Sequence, residues 1–180
     1  MKNKKKISAI LFAVLALICV FTMTAFAEEL ADGEPIEPTV VDSGECGAEG
    51  DNVLWTLYSD GLLEITGTGA MADFGGDNDL APWREYRNEK LTSIVINAGV
   101  TRIGDFAFQL LDFHSVSIPA TVETIGKKAF YFSDDFTTLS LPVGVIELEE
   151  YAFDNCRKLA YVSLPTGLEI IGRHAFSTTN

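Results

Sequence analysis

Residues 113–135 read FHSVSIPATVETIGKKAFYFSDD, and residues 136–158 read FTTLSLPVGVIELEEYAFDNCRK. Laid one above the other, they share a leading Phe (Phe113, Phe136) and an apolar pair two residues apart (Val116 and Ile118, Leu139 and Leu141). They also share a proline (Pro119, Pro142), two further apolar columns and a closing Ala-Phe. The register extends outward in both directions, to residues 91–112 and to residues 159–180. Ala-Phe recurs at Ala107-Phe108, Ala129-Phe130, Ala152-Phe153 and Ala175-Phe176, at spacings of 22, 23 and 23 residues. The other columns keep step: Ile94/Val116/Leu139/Val162, Val100/Val122/Val145/Leu168 and Ile103/Ile125/Leu148/Ile171. Four copies in register mean a stacked repeat. Each unit has about seven apolar positions, worth roughly 1.5–3 kcal/mol apiece when buried. Ordering its backbone costs about 1–2 kcal/mol per residue. One unit cannot fold alone, whereas stacking buries both flanks of every coil.

A period in the low twenties with L-x-x-L-x-L spacing predicts a β-rich, right-handed solenoid of leucine-rich-repeat type. Each 22–23-residue repeat would hold a short strand followed by a turn or short helical segment. The motif F/L-x-x-V-x-I/L-P-x-x-V-x-x-I-G-x-x-A-F resembles the BspA-like, or Treponema-type, leucine-rich repeats of bacterial surface proteins. The stretch from Trp55 through Ile65-Thr-Gly-Thr-Gly-Ala-Met71 to Ala81-Pro-Trp83 is similar to the segment that often precedes them. The resemblance covers about residues 46–180. It implies a secreted or cell-surface binding protein, with adhesion as a proposed role, and it implies no cofactor. Glu149 departs from the glycine column of Gly104, Gly126 and Gly172, so the turn of the third repeat is expected to be less regular. No polar closing unit follows the fourth repeat, so a fraying last coil or a fragment is expected.

Upstream of the repeats, residues 46–90 read as a small β-hairpin cap. Val53–Tyr58 and Leu62–Thr66 are rich in strand formers, and Ser59-Asp60-Gly61 between them suits a three-residue loop closed by a glycine at positive φ. Pro82 suits the first position of a short helical turn. Glu28–Glu45 holds seven acids, no bases and two prolines. That composition predicts a flexible acidic linker over residues 28–45. The first 27 residues form a targeting signal. Four lysines stand in residues 1–6, an apolar run follows from Ile7 to Met23, and Ala25-Phe26-Ala27 offers small residues for a peptidase. The run falls short of the roughly 20 apolar residues of a spanning helix, so no stable membrane span is expected after cleavage behind Ala27. Ile18 ahead of Cys19 does not suit a lipoprotein signal. The product is expected outside the cell, secreted or on its surface.

The chain has 13 basic and 26 acidic residues in 180, a formal charge of −13. Losing residues 1–27 removes four lysines and no acid, which leaves nine bases against 26 acids, or −17. This charge excludes nucleic acid as a partner, because phosphate recognition needs a basic footprint. Cys46 and Cys156 remain; a lone pair far apart in the chain predicts free or buried thiols rather than a disulfide framework.

Few residues carry chemistry. His114 and His174 sit in columns shared with Thr92, Thr137 and Ala160, and with Phe106, Lys128 and Tyr151, and read as solvent-facing spacers. Asp73, Asp77, Asn78 and Asp79 gather oxygen ligands without the glycine and distal glutamate of a calcium loop, so no metal site is expected. Glu147, Glu149 and Glu150 could be paired as in a glycosidase, but their place in one turn reads as a solvated edge, and no catalytic residue is expected. Alternation on the repeat strands is more informative. With Ile94, Ile96 and their equivalents facing inward, Ser115, Ser117, Thr138, Ser140, Tyr161 and Ser163 face out and form the candidate partner-binding strand face. The reading is an exported, non-enzymatic binding protein for an extracellular protein or glycan. The alternative is the N-terminal part of a longer surface protein whose catalytic or anchoring domain lies elsewhere.

Overall fold

Among the described residues the chain carries twelve strands; β1, β2 and β3 of the cap have six to nine residues, and those of every coil have two to four. A computed structural model describes residues 37–75, 79–88 and 91–180. The expected signal segment, residues 1–27, and the first part of the linker lie outside the described residues. The cap holds β1 (Val40–Gly47), β2 (Gly50–Tyr58), β3 (Leu62–Gly67) and β4 (Gly69–Ala70), followed by a 3-10 helix over Pro82–Asn88. The repeats hold β5 (Ser93–Ile96), β6 (Val100–Ile103), β7 (Ser115–Ser117) and β8 (Thr124–Ile125). They continue with β9 (Thr138–Ser140), β10 (Glu147–Leu148), β11 (Tyr161–Ser163) and β12 (Ile170–Ile171).

One sheet has the order β1-β2-β3-β5-β7, antiparallel within the cap and parallel from β3 onward. Leu63 pairs with Ile94 and Ile65 with Ile96, so the second arm of the hairpin serves as the first rung for the repeats. A second sheet, β4-β6-β8-β10-β12, is parallel throughout, and β9 pairs with β11 in a separate two-stranded sheet. Each coil thus has two short strands where the sequence predicts one. The second arises from the columns at Val100, Ile103 and their equivalents, whose three-residue spacing hides the alternation of a strand. This is a leucine-rich repeat fold, β-rich with parallel sheets. The repeats join their strands through turns, without the short helical segment allowed for above.

The linker needs correcting at its end. Residues 40–45, predicted flexible, belong to β1, which pairs along β2 from Val40↔Tyr58 to Gly47↔Gly50. Counting acids over a window misses an edge strand, which buries little: Glu45 is exposed, and the half-buried Asp42 accepts from the Tyr86 hydroxyl at 2.8 Å. Gly44 lies against the Trp55 indole, where an added Cβ would sit 2.9 Å from Nε1, and Cys46 is buried.

The Ala-Phe column forms the spine of the core. Trp83, Phe108, Phe130, Phe153 and Phe176 stack in order, with centroids 5.4, 5.3, 5.0 and 5.4 Å apart. Trp83 of the cap takes the place of the missing zeroth Phe, and its Nε1–H donates to the Ala107 carbonyl at 2.8 Å. A shorter stack, Phe113 on Phe136 at 5.1 Å, lies beside it. Ser133 Oγ donates to the Phe108 carbonyl and Cys156 Sγ to the Phe130 carbonyl, so small polar groups in one column tie the second coil to the first and the third to the second. Both Cys46 and Cys156 are free thiols, and burial pushes each up to about 12.

The turns have an unusual backbone. Phe106, Lys128, Tyr151 and His174 have φ of 54–61°, and Leu110, Phe132, Asn155 and Thr178 have φ of 56–59°. Only Asn is at ease there; the left-handed region costs other L-residues about 1–2 kcal/mol. Hydrogen bonds hold them in it. The Ala107 N–H closes a turn onto the Gly104 carbonyl at 3.3 Å, while the Phe106, Phe108 and Leu110 N–H groups donate to Lys127, Ala129 and Tyr131 of the next coil at 2.7–2.9 Å. The same pattern repeats along the stack.

Candidate functional site

The six predicted residues lie on the outside; alternation is clear-cut in β9, whereas the centre of β7 is half-buried and β11 is exposed throughout. Ser115, Ser117, Thr138, Ser140, Tyr161 and Ser163 are all exposed, while Leu139 between two of them is buried. Tyr161 is 75% exposed, more than any other aromatic on this face. Register fixes the rows: Tyr161 sits beside Thr138 and Ser163 beside Ser140, and Ser115 sits beside Ser93 and Ser117 beside Val95. The six do not form one unbroken ladder. β7 ends one sheet and β9 begins another, and the division falls where the connection from Phe130 to Phe136 is one residue longer than that from Phe108 to Phe113. Among the described residues, no side-chain hydroxyl of the six has a protein hydrogen-bond partner. A hydroxyl is both donor and acceptor, so the face offers uncommitted polar groups at strand spacing, with one aromatic ring at its end.

A charged row borders the face. The Lys158 ammonium lies 2.5 Å from Asp135 Oδ1, which holds the Asp135 carboxyl below the usual carboxylate range. The Arg157 N–H donates to Asp134 Oδ1 at 3.0 Å. His114 is exposed beside this row.

Three of the acidic groups considered for chemistry, Asp73, Glu149 and Glu150, have structural partners. Asp73 accepts from the Arg102 guanidinium and from the Asp105 N–H at 2.9 Å. Burial alone would raise its pKa, but those two donors outweigh it and hold the carboxyl low. Asp77 and Asn78, proposed alongside it, lie outside the described residues. Arg102 also reaches Asp105 at 2.7 Å and Glu149 at 3.0 Å. Glu149 therefore leaves the glycine column because it reaches back two coils, over Gly126, to this guanidinium. Its turn stays regular: the Ala152 N–H still donates to the Glu149 carbonyl at 3.3 Å, and Tyr151 keeps its positive φ. Glu150 pairs with Lys127 at 3.3 Å.

The column of Phe106, Lys128, Tyr151 and His174 is the feature that sequence reading missed. The Lys128 ammonium lies 5.7, 4.9 and 5.5 Å from the ring centroids of Phe106, Tyr131 and Tyr151. His174 is exposed, as expected, but stacks on Tyr151 at 5.2 Å. These are cation–π and ring contacts between coils, so the column is not made of free spacers. A variable column that alternates aromatic and basic residues was the available signal.

Residues 84–180, more than half of the chain, match the family model described as "BspA type Leucine rich repeat region (6 copies)". No curated protein matches the chain. Among solved structures, a leucine-rich repeat protein from Eubacterium ventriosum is similar at 22% identity and a TM-score of 0.50, over 73% of this chain and 44% of that one. One from Bacteroides ovatus has 22% identity and a TM-score of 0.43, over 82% and 45%. A leucine rich cell surface protein from Faecalibacterium prausnitzii has 22% identity and a TM-score of 0.35, over 79% and 47%. The chain thus spans less than half the length of each of these three. The first supports the fold; the other two add no weight to it.

Proposed function

The chain belongs to the BspA-type leucine-rich repeat family, and we propose from that premise that it is an exported, non-enzymatic protein that binds an extracellular protein or glycan through the strand face of its repeats. The observation that carries this reading is the set of six exposed hydroxyl residues without protein partners, ending in a Tyr161 ring that is 75% exposed. Stacked repeat coils present such faces as extended binding surfaces. Tyrosine is enriched among interface anchors because it offers wide contact for little entropy loss. The parallel pairing of the repeat strands supports a right-handed solenoid, the hand that parallel crossover connections adopt. The basic head, apolar run and Ala25-Phe26-Ala27 support export with cleavage after Ala27. Among the described residues no helix is long and apolar enough to cross a membrane.

The test is a binding screen of the secreted chain against extracellular proteins and glycans, followed by Tyr161→Ala on whatever binds. Loss of this anchor should weaken binding by about 1–2 kcal/mol, roughly tenfold. Glu150→Ala, away from the face, should leave affinity unchanged. A partner that ignores Tyr161, Thr138 and Ser117 but responds to changes in the cap would move the site to the N-terminal unit and leave the small ladder residues as packing relief.

A further inference from the structure

The 3-10 helix over Pro82–Asn88 sets one side on the core and leaves another with unspent charge. Such a helix has three residues per turn, so side chains at i and i+3 eclipse. One row is Trp83 and Tyr86. Trp83 is fully buried, and the Tyr86 hydroxyl donates to Asp42 at 2.8 Å. The next row is Arg84 and Arg87, which brings two guanidinium groups to one place. Arg84 Nη1 donates to the Gln109 carbonyl at 3.1 Å, and the Arg84 Nε–H is buried without an acceptor. Burial and the Arg87 charge both lower the Arg84 pKa. Glu85 is exposed and one row away, and among the described residues it forms an ion pair with neither arginine. Leu80, Ala81, Pro82, Arg84, Glu85 and Arg87 line a pocket of about 470 Å³, a volume in the range of small-ligand sites. Its apolar wall includes Leu80, which is 50% exposed.

We propose that this pocket binds the C-terminal carboxylate of an extracellular peptide, with Arg84 and Arg87 as its clamp. Charge selects an anion. The chain has 26 acids, yet these two bases have none. Among the described residues Arg102, Lys127 and Lys158 pair with carboxylates, and Lys128 and Arg157 lie over aromatic rings. Arg84, Arg87 and Arg173 of the fourth repeat are the bases left without either. Two of these three share one pocket, where each disfavours the charge of the other. Arginine has five N–H donors, and Arg84 spends one of them. A carboxylate on its remaining Nη–H groups and on Arg87 offsets the charge that burial leaves uncompensated, and it matches the planar fork. Charge also limits the ligand to one carboxylate. Residues 37–75 carry eight acids and no base, and Asp42 among them touches this helix through Tyr86, so a polyanion is repelled. A peptide C-terminus brings a single carboxylate, an apolar side chain to rest on Leu80 and Pro82, and an amide N–H for Glu85 to accept. The site is separate from the strand face and does not rest on that face binding anything.

The test titrates the secreted full chain, isotope-labelled for NMR, with acetyl-Gly-Leu bearing a free carboxylate and with the same peptide as its C-terminal amide. The Arg84 Nε–H resonance reports the site directly, because its buried proton is shielded from exchange with water. The free-carboxylate peptide should shift it saturably with millimolar affinity, and the amide should bind more weakly by about tenfold or more. Arg87→Gln removes the charge of an exposed side chain that has no partner among the described residues, so the fold should stay intact while affinity falls by about tenfold. Leu80→Ser should weaken both peptides several-fold and keep the preference for the carboxylate. Tyr161→Ala should change nothing here, which separates failure of this site from failure of the strand face. Equal binding of acid and amide overturns the proposal, as does the lack of a saturable shift up to about 20 mM peptide. So does an affinity indifferent to Arg87→Gln, and so does tighter binding of a uronate trisaccharide, which would assign the pocket to acidic glycan.

Discussion

Truncating Phe130 to alanine tests the packing argument at its centre. Its ring is fully buried, stacked 5.3 Å from Phe108 and 5.0 Å from Phe153, with the Phe113 ring edge-on at 6.2 Å. Removing it leaves a cavity between three coils that their own hydrogen bonds hold open, because the Phe108 and Phe130 N–H groups stay tied to Ala129 and Ala152 at 2.7 and 2.8 Å. The site cannot collapse, so the cost belongs at the full value for a buried aromatic, about 3–5 kcal/mol. For a domain of this size each kcal/mol moves the melting temperature by about 2–4 °C, so a drop on the order of 10 °C is expected. Phe176→Ala is the internal control. Its ring occupies the same column but has one stacked neighbour and partial exposure, and half of a normal burial value gives about 1–1.5 kcal/mol. Lys128→Ala, which column variability alone would make nearly free, should cost about 0.5–1 kcal/mol through its lost ring contacts. Thermal unfolding followed by circular dichroism, with guanidinium midpoints alongside, ranks the three. If Phe130→Ala and Phe176→Ala melt together, the stack is not a shared core and the coil-to-coil argument fails.

Leu110 is exposed and held at φ +56°; Leu110→Gly should relieve about 1 kcal/mol of backbone strain and raise the guanidinium midpoint, and a lower midpoint would show that the side chain contributes more than its backbone costs. The low-held Asp73 carboxyl contributes stability that is complete above the unfolded carboxylate range near 4 and is lost as pH falls through its folded value. Arg102→Ala should therefore lower stability at neutral pH and flatten the acid limb of the stability curve, as read by urea midpoints at several pH values; a parallel shift at all pH values would contradict this. Glu149→Gly, which restores the regular column, should nevertheless destabilise by about 1 kcal/mol through the lost Arg102 pair and added backbone freedom, and calorimetry would show it. Mass spectrometry of the exported protein should find Glu28 at its N-terminus, and a retained Met1 in a membrane fraction would refute cleavage.

Sequence and structure agree where one physical demand repeats in every coil. The Ala-Phe column must fill the same space four times, so identity itself reports burial, and Phe108, Phe130 and Phe153 are all fully buried. The outward set from Ser115 to Ser163 was legible for a related reason: two-residue alternation decides the face once Leu139 is assigned to the core. What stayed hidden was whatever is not a column property. Positive φ is a backbone state that glycine would have announced, and Phe106, Lys128, Tyr151 and His174 do not. The contact of Arg102 with Glu149 skips a coil and joins residues 47 apart, so it looks like a defect in the repeat instead of one half of a pair. β1 was lost to a composition rule that averages over acids and cannot see that Asp42 has a partner in Tyr86. The candidate site is only partly legible for a deeper reason. Repetition encodes what every coil needs in order to stack, whereas recognition needs coils that differ, and on the strand face the difference comes down to Tyr161 against five small hydroxyls. A ligand-specific code in such a face must reside in its least repetitive residue, and for that reason Tyr161→Ala separates a binding face from a merely uncrowded one.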